Sequence, residues 1–198
     1  MKKKVNKKKR NIFLIVGIII VLSAVFIAVF CPVITKYDPI GVEVKDRITA
    51  PSVQHKLGTD EMGRDVLSRM FFGVRASMII GLSVAVLSTV AGIIVGVMAG
   101  YYKKVDNILM RILDGIMAFP SIIIAIALAG ILGTGKVNII IALSVAYFPT
   151  MARIVRSSVL SLREIEYVQS VKVVGASDAY IIIHHIIPNI LSPIIVQM

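Results

Sequence analysis

The sequence predicts an all-α protein, a polytopic bundle of transmembrane helices, and two observations carry that expectation. Of its 198 residues 57% are hydrophobic and 17% charged, where an ordinary soluble domain carries about 25% charge. The apolar residues are also clustered, in charge-free stretches at 12–30, 76–102, 115–135, 137–152 and 179–198. A hydrocarbon core about 30 Å thick needs about 20 helical residues at 1.5 Å each. Four stretches meet or approach that length and 137–152 is marginal, so about five spans are expected. This composition excludes a soluble enzyme, a disordered tail and a secreted disulfide scaffold. The single Cys31 leaves no intrachain disulfide.

The chain begins with a basic segment, 1–11. Seven of the 22 Lys and Arg residues fall in the first ten positions (Lys2, Lys3, Lys4, Lys7, Lys8, Lys9 and Arg10). Such a cluster resists translocation and is drawn to anionic lipid, which places the N-terminus in the cytoplasm. The net charge of +11 is therefore read as a membrane signal, and no nucleic-acid partner is expected. Residues 12–30 form the first transmembrane helix. Phe30 stands where signal-peptide cleavage before Cys31 would want a small residue, so this helix stays attached. Residues 31–75, with Pro32, Pro39 and Pro51, read as an external segment with one short helix near its end.

Residues 76–198 form the membrane core. The second span returns inward and stops at Tyr101-Tyr102-Lys103-Lys104. The third leaves near Asp114 and reaches Gly133-Thr134-Gly135-Lys136. The fourth returns and ends at Arg153 and Arg156, the segment 153–178 is cytoplasmic, and the fifth starts at Ala179. Ser88, Gly92, Gly96 and Gly100 recur every four residues, which keeps small side chains on one side of a helix and lets another backbone approach. Ala125, Ala129 and Gly133 repeat the device. Pro120, Pro149 and Pro188 each interrupt a hydrophobic segment and should bend it, because each removes a backbone donor.

Three features imitate other chemistry. The stretch Gly130 to Lys136 has the spacing of a phosphate-binding loop, but Val137 follows where a magnesium-binding hydroxyl is required. A turn between two spans explains it. His184 and His185 are adjacent, so they point about 100° apart on a helix and suit the membrane interface better than one metal ion. Arg111 and Asp114 are spaced to pair along one helix.

In the cytoplasmic segment Val159, Leu162, Ile165, Val168, Val171 and Val174 recur every third residue. That row drifts about 60° per step around a straight helix, so the segment should break into shorter helices. Gly175 suits the left-handed residue after a helix end. Ser177 or Asp178 can accept the free amides that open the next helix. Helix, Gly-centred turn, helix is the expected arrangement, with mixed charge beside exposed valines to suit a docking surface.

The run Glu166-Tyr167-Val168-Gln169-Ser170-Val171-Lys172-Val173-Val174-Gly175-Ala176-Ser177-Asp178, followed by His185-Ile186-Ile187-Pro188-Asn189, resembles the EAA loop of ABC-importer permeases. Within that family it is most similar to the peptide/nickel-type subfamily of bacterial inner-membrane permeases. Leu57-Gly58-Thr59-Asp60-Glu61-Met62-Gly63-Arg64-Asp65-Val66-Leu67-Ser68-Arg69 resembles the subfamily's signature before the second span. In place of Glu-Ala-Ala stand Gln169-Ser170-Val171, and Ile187 replaces the usual Leu before the proline.

The resemblance implies a type I importer permease in the bacterial inner membrane, not an enzyme. It would form part of the pathway for peptides or a related small solute such as nickel. It would work with a second permease subunit, two cytoplasmic ATP-binding subunits and an external solute-binding protein. ATP would be used by those partners, with no cofactor on this chain. Members of the family continue beyond the position of Met198, so a chain truncated within the fifth of six spans is expected. A non-transporting membrane scaffold and a membrane NTPase are the competing readings.

Overall fold

The computed structural model describes residues 7–198, with side chains from Ile12 onward. Lys2, Lys3 and Lys4, and the side chains of the rest of the basic cluster, lie outside the described residues. Helix α1 spans Lys7–Ile34 and helix α2 spans Val66–Tyr101. A 36-residue helix such as α2 is about 54 Å long, well beyond the hydrocarbon thickness. It absorbs the short helix expected near the end of the external segment, and helix starts ten residues ahead of the charge-free stretch. Arg69 and Arg75 end the hydropathy signal without ending the helix.

The third span differs most from expectation. It is two helices, α3 (Lys103–Met117) and α4 (Ser121–Leu132), bent by 85° at a short break. Pro120 causes the break. It has no N–H to continue α3, it disfavours helical backbone at Phe119, and it opens α4 instead. The carbonyl of Ile116 is taken by the Phe119 amide at 3.3 Å. Helix α3 is amphipathic and buries Leu113, with Asp106 two turns earlier on the same side.

Helix α5 spans Lys136–Arg163 and carries Pro149 buried within it. It continues ten residues past Arg153, where the fourth span was expected to end, so the cytoplasmic segment shares its first part with a spanning helix. Then follow α6 (Glu166–Val173), the single turn α7 (Asp178–Ile181), a π-helical turn (Ile182–Ile186) and α8 (Ile187–Gln197). Four helical segments, Ile12–Ile34, Val66–Tyr101, Lys136–Arg163 and Asp178–Gln197, are long and apolar enough to cross a membrane. The bent pair makes a fifth if it is one broken span. The fold is all-α among the described residues.

The contacts divide into two units, one ending at Ile79 and the other running from Ile80 to Met198. In the first, α1 exposes nearly all of its apolar side chains, as a helix surrounded by lipid does. In the second, Val97, Met151, Val155, Val159, Val168, Ile181, Ile186, Ile190 and Ile194 form one buried cluster.

Candidate functional site

The small-residue row shows how that cluster closes. A Cβ at Gly92 would lie 2.5 Å from Met151 Cγ, one at Gly96 2.5 Å from the Ala152 carbonyl, and one at Gly100 2.6 Å from Val159 Cβ. Only hydrogen fits at these three positions, which bring α2 directly against α5. Ser88, the fourth of the row, is buried but borders a cavity.

At the C-terminal ends of α2 and α5, Arg163 donates from its guanidinium to the Gly100 carbonyl at 2.8 Å. This satisfies one of the carbonyls that α2 leaves free at its end. The chain then breaks at Glu164 and Ile165 and restarts as α6. Gln169 Nε2 donates to the Arg163 carbonyl at 2.7 Å, and Ser170 Oγ donates to the Glu166 carbonyl at 2.8 Å. Val168 is buried in the cluster beside Val159 and Ile181. On the opposite side Val173 and Val174 are 86% and 88% exposed. The short helix is thus anchored chiefly by Val168 and presents an apolar tip.

Gly175 has φ +92, a left-handed conformation that glycine adopts without steric penalty. Its amide donates to the Lys172 carbonyl at 3.0 Å, and that of Ala176 to the Val171 carbonyl at 3.3 Å. Together these bonds form a complete Schellman motif, and Val171 and Ala176 both pack on the buried cluster. Ser177 Oγ then accepts the Tyr180 amide at 3.3 Å and caps α7. Asp178 takes a different partner, accepting a 2.7 Å hydrogen bond from Tyr101 Oη.

Pro188 sits in the first turn of α8, where a missing N–H is tolerated. The π-helical turn ahead of it lets the Ile187 amide reach the Ile182 carbonyl. Asn189 Nδ2 donates to the His185 carbonyl at 2.6 Å and to Tyr167 Oη at 3.1 Å. The loop therefore touches the last helix at Tyr167 as well as at Val168. His184 stacks on Tyr180 with ring centroids 4.4 Å apart, and it forms no metal site among the described residues.

Sequence spacing missed the cross-element ion pairs. Asp114 does not pair with Arg111 as expected; it accepts from Arg153 at 2.6 Å. Arg156 grips Asp106 through Nε at 2.5 Å and a terminal nitrogen at 2.6 Å. These two pairs fasten the amphipathic α3 to α5, and a bidentate guanidinium–carboxylate contact is the stronger kind. A charged residue on each facing helix was the only available signal. The glycine stretch near Lys136 is the turn between α4 and α5, and Lys136 begins α5 after a helix rather than a strand.

In the other unit, the Gly58–Arg69 signature builds a folded turn. Asp65 Oδ2 accepts the Ser68 amide at 2.7 Å and caps α2, while His55 Nδ1 lies 3.1 Å from Asp65 Oδ1. Asp60 accepts from the amides of Met62 at 2.8 Å and Arg64 at 3.0 Å, from Arg64 Nε at 2.9 Å, and from Arg69. Burial raises the pKa of both carboxyls, but these donors outweigh it. Asp60 is held well below the usual carboxylate range and Asp65 is also lowered. Thr59 Oγ1 accepts the Thr49 amide at 2.9 Å. A Cβ at Gly58 would meet the Thr49 carbonyl at 2.5 Å, and one at Gly63, where φ is +77, would run into the Glu43 carbonyl.

Broken and overlong apolar helices, with a short capped helix packed on the buried cluster between them, define a multi-pass membrane protein. Residues 88–198 match the family described as the binding-protein-dependent transport system inner membrane component, and the chain belongs to that family. It is 44% identical over 183 residues to a putative peptide transport system permease protein of Brucella suis, covering 92% of this chain and 62% of that one. It is 41% identical over 193 residues to a dipeptide transport system permease protein of Alkalihalophilus pseudofirmus (96% and 62%). With an oligopeptide transport system permease protein of Bacillus subtilis it shares 37% over 191 residues (96% and 63%). The chain thus spans less than two thirds of the length of these relatives.

Proposed function

We propose that this chain forms part of the translocation pathway of an ATP-driven importer for peptides. A second permease subunit would complete the pathway, an external binding protein would deliver the solute, and two cytoplasmic ATP-binding subunits would supply ATP hydrolysis. In this reading the N-terminus and the 153–178 segment face the cytoplasm, and α6 docks on an ATPase.

The observation that carries the proposal is the placement of Val168. Its side chain is buried with Val97 of α2, Val155 of α5 and Ile186 before α8. Close-packed side chains transmit displacement because the interior is scarcely compressible. A push on the exposed Val173–Val174 tip therefore moves elements that belong to spanning segments. The names of the relatives favour peptides over nickel, and no cluster of three metal-ligating side chains occurs among the described residues. Co-expression with the partner genes, affinity capture on this chain and peptide uptake in proteoliposomes test the proposal. Capture of the ATPases with ATP-dependent peptide uptake is expected; capture without uptake would favour the scaffold reading.

A further inference from the structure

Helix α3 carries two acids, Asp106 and Asp114, and both are held by arginines of α5. Its three bases are not so held. Lys103, Lys104 and Arg111 are exposed and join no ion pair among the described residues. Large apolar side chains stand exposed beside them: Ile108 is 64%, Ile112 56% and Phe119, just past the helix end, 63% exposed. At about 100° per residue, Asp106 and Leu113 share the buried side, and Lys104 and Arg111, each two residues earlier, lie opposite. Ile108 and Ile112 follow these bases on one edge, and Asn107 and Asp114 on the other. The bases therefore stand at the border between an apolar arc and a polar one.

The fold also sets the depth of α3. Lys136 and Arg153 are about 26 Å apart along α5, close to the thickness of a hydrocarbon core. Arg153 and Arg156 thus mark one boundary of that span, and they are the residues that hold α3. The stretch from Asp106 to Asp114 is matched to the much shorter one from Arg153 to Arg156, so α3 crosses α5 instead of following it. The 85° bend at Pro120 agrees with this, since α4 packs against α5. A helix that crosses a span at its boundary lies in the plane of the membrane surface.

We propose that α3 is an interfacial helix that binds anionic phospholipid, with Lys104 and Arg111 on headgroup phosphates and Ile108, Ile112 and Phe119 among the acyl chains. Uncompensated bases call for an anion and their apolar neighbours for hydrocarbon, and an anionic lipid supplies both at one depth. Helices with an apolar arc bordered by bases take that place. Because Asp106 and Asp114 tie α3 to α5, lipid held on the free side braces the end of α5 from which the 153–178 segment continues. On the orientation proposed above the leaflet is the inner one; the lipid contact itself does not rest on import.

The test uses the chain as captured after co-expression with its partner genes, in proteoliposomes of equal phosphatidylglycerol and phosphatidylcholine. The photoreactive residue p-benzoylphenylalanine is placed at Ile112, and separately at Ile108, and the adduct on this chain is read by mass spectrometry. A lipid adduct is expected, with phosphatidylglycerol about fivefold over phosphatidylcholine, the bias that the attraction of about one basic residue to an anionic surface gives. Lys104→Gln with Arg111→Gln should bring the ratio close to one, whereas the charge-conserving pair Lys104→Arg with Arg111→Lys should keep it. A cross-link from both positions to a partner subunit would make this face a protein interface. Equal adducts of the two lipids would leave no recognition of anions. No adduct, where the same group at Ile20 of α1 reacts, would put the face in water. Each of these three results would overturn the proposal. The readout is lipid and not transport, so failed peptide uptake by the same assembly would count against the import reading alone.

Discussion

Tyr101 Oη and Asp178 Oδ1 are joined by a 2.7 Å hydrogen bond across 77 positions of sequence. Tyr101 is the last residue of α2, and Asp178 is the first of α7, just beyond the Gly175 turn. Lys172 Nζ lies 5.9 Å from the centre of the Tyr101 ring, so α6 and α7 both meet this side chain. The tie gives the end of a spanning helix a direct grip on the segment proposed to dock an ATPase.

Tyr101→Phe removes only the hydroxyl. A hydrogen bond to a charged acceptor contributes about 1.5–3 kcal/mol, and partial exposure of this pair places the loss at the lower end. The melting temperature in detergent should fall by a few degrees while ATPase capture persists. Peptide uptake per ATP hydrolysed should fall more than the melting temperature explains. An unchanged ratio would remove the tie from the coupling route.

Gly96 and Gly73 both lie in α2, and only one is constrained by neighbours. A Cβ at Gly96 meets the Ala152 carbonyl and Val155, whereas nothing lies within 4 Å at Gly73. Gly96→Ala should destabilise by about 1–3 kcal/mol, as overpacking does. Gly73→Ala should be neutral or stabilise by up to about 1 kcal/mol from helix propensity. Thermal unfolding of the two variants in the same detergent checks the contrast, and equal shifts would show that α2 does not pack on α5 through this row.

Some of this architecture was legible because it depends on local chemistry. A row of threes cannot remain on one helix face, and the chain does break at Glu164–Ile165. Gly175 followed by Ser177 announces a left-handed stop and a new cap. Pro120 announced a bend in its charge-free stretch, but not the 85° turn that splits the segment into two helices, because hydropathy does not register where a helix stops and restarts. The true lengths of α2 and α5 were hidden for the converse reason. Arg69, Arg75, Arg153 and Arg156 end an apolar window but not a helix. The Asp106–Arg156 and Tyr101–Asp178 contacts are set by tertiary packing, which spacing along one helix does not encode.

The Asp60 turn predicts a response to acid. Its carboxyl is depressed in the folded state by donors from Met62, Arg64 and Arg69 acting against burial. A depressed carboxyl contributes stability that is present above its unfolded pKa, about 3.9, and is lost as pH falls through the folded value. The 46–65 segment should therefore hold full protection from amide exchange near pH 6 and lose it progressively below about pH 4. Asp60→Asn should be less protected at pH 6 and show a shallower dependence below pH 4. Identical acid profiles would refute the assignment.

Gly175→Val should separate docking from insertion. No atom lies within 4 Å of a Cβ built there, so the penalty is backbone strain alone, about 1–2 kcal/mol in the left-handed region. The Schellman bonds would loosen and α6 would be re-aimed, while the apolar spans remain as they are. Membrane yield should match the unmodified chain and ATPase capture should fall severalfold. Gly175→Asn, which tolerates the conformation better, should lose less. Equal capture by all three chains would exclude the turn from docking.

The orientation proposed from the basic cluster predicts a labelling pattern. Cys31 is buried and its thiol lies 3.9 Å from the Ala28 carbonyl, an acceptor that a serine hydroxyl can also use, so Cys31→Ser is a sound background. On the proposed orientation a cysteine at Met62, which is 52% exposed, faces outward. One at Ser161, near the end of α5, faces the cytoplasm. An impermeant maleimide added to intact cells should label Met62→Cys and spare Ser161→Cys until the membrane is opened. Labelling of Ser161→Cys from outside with Met62→Cys protected would invert the orientation. It would also take α6 off the side where the ATPases work, and the import proposal would fail with it.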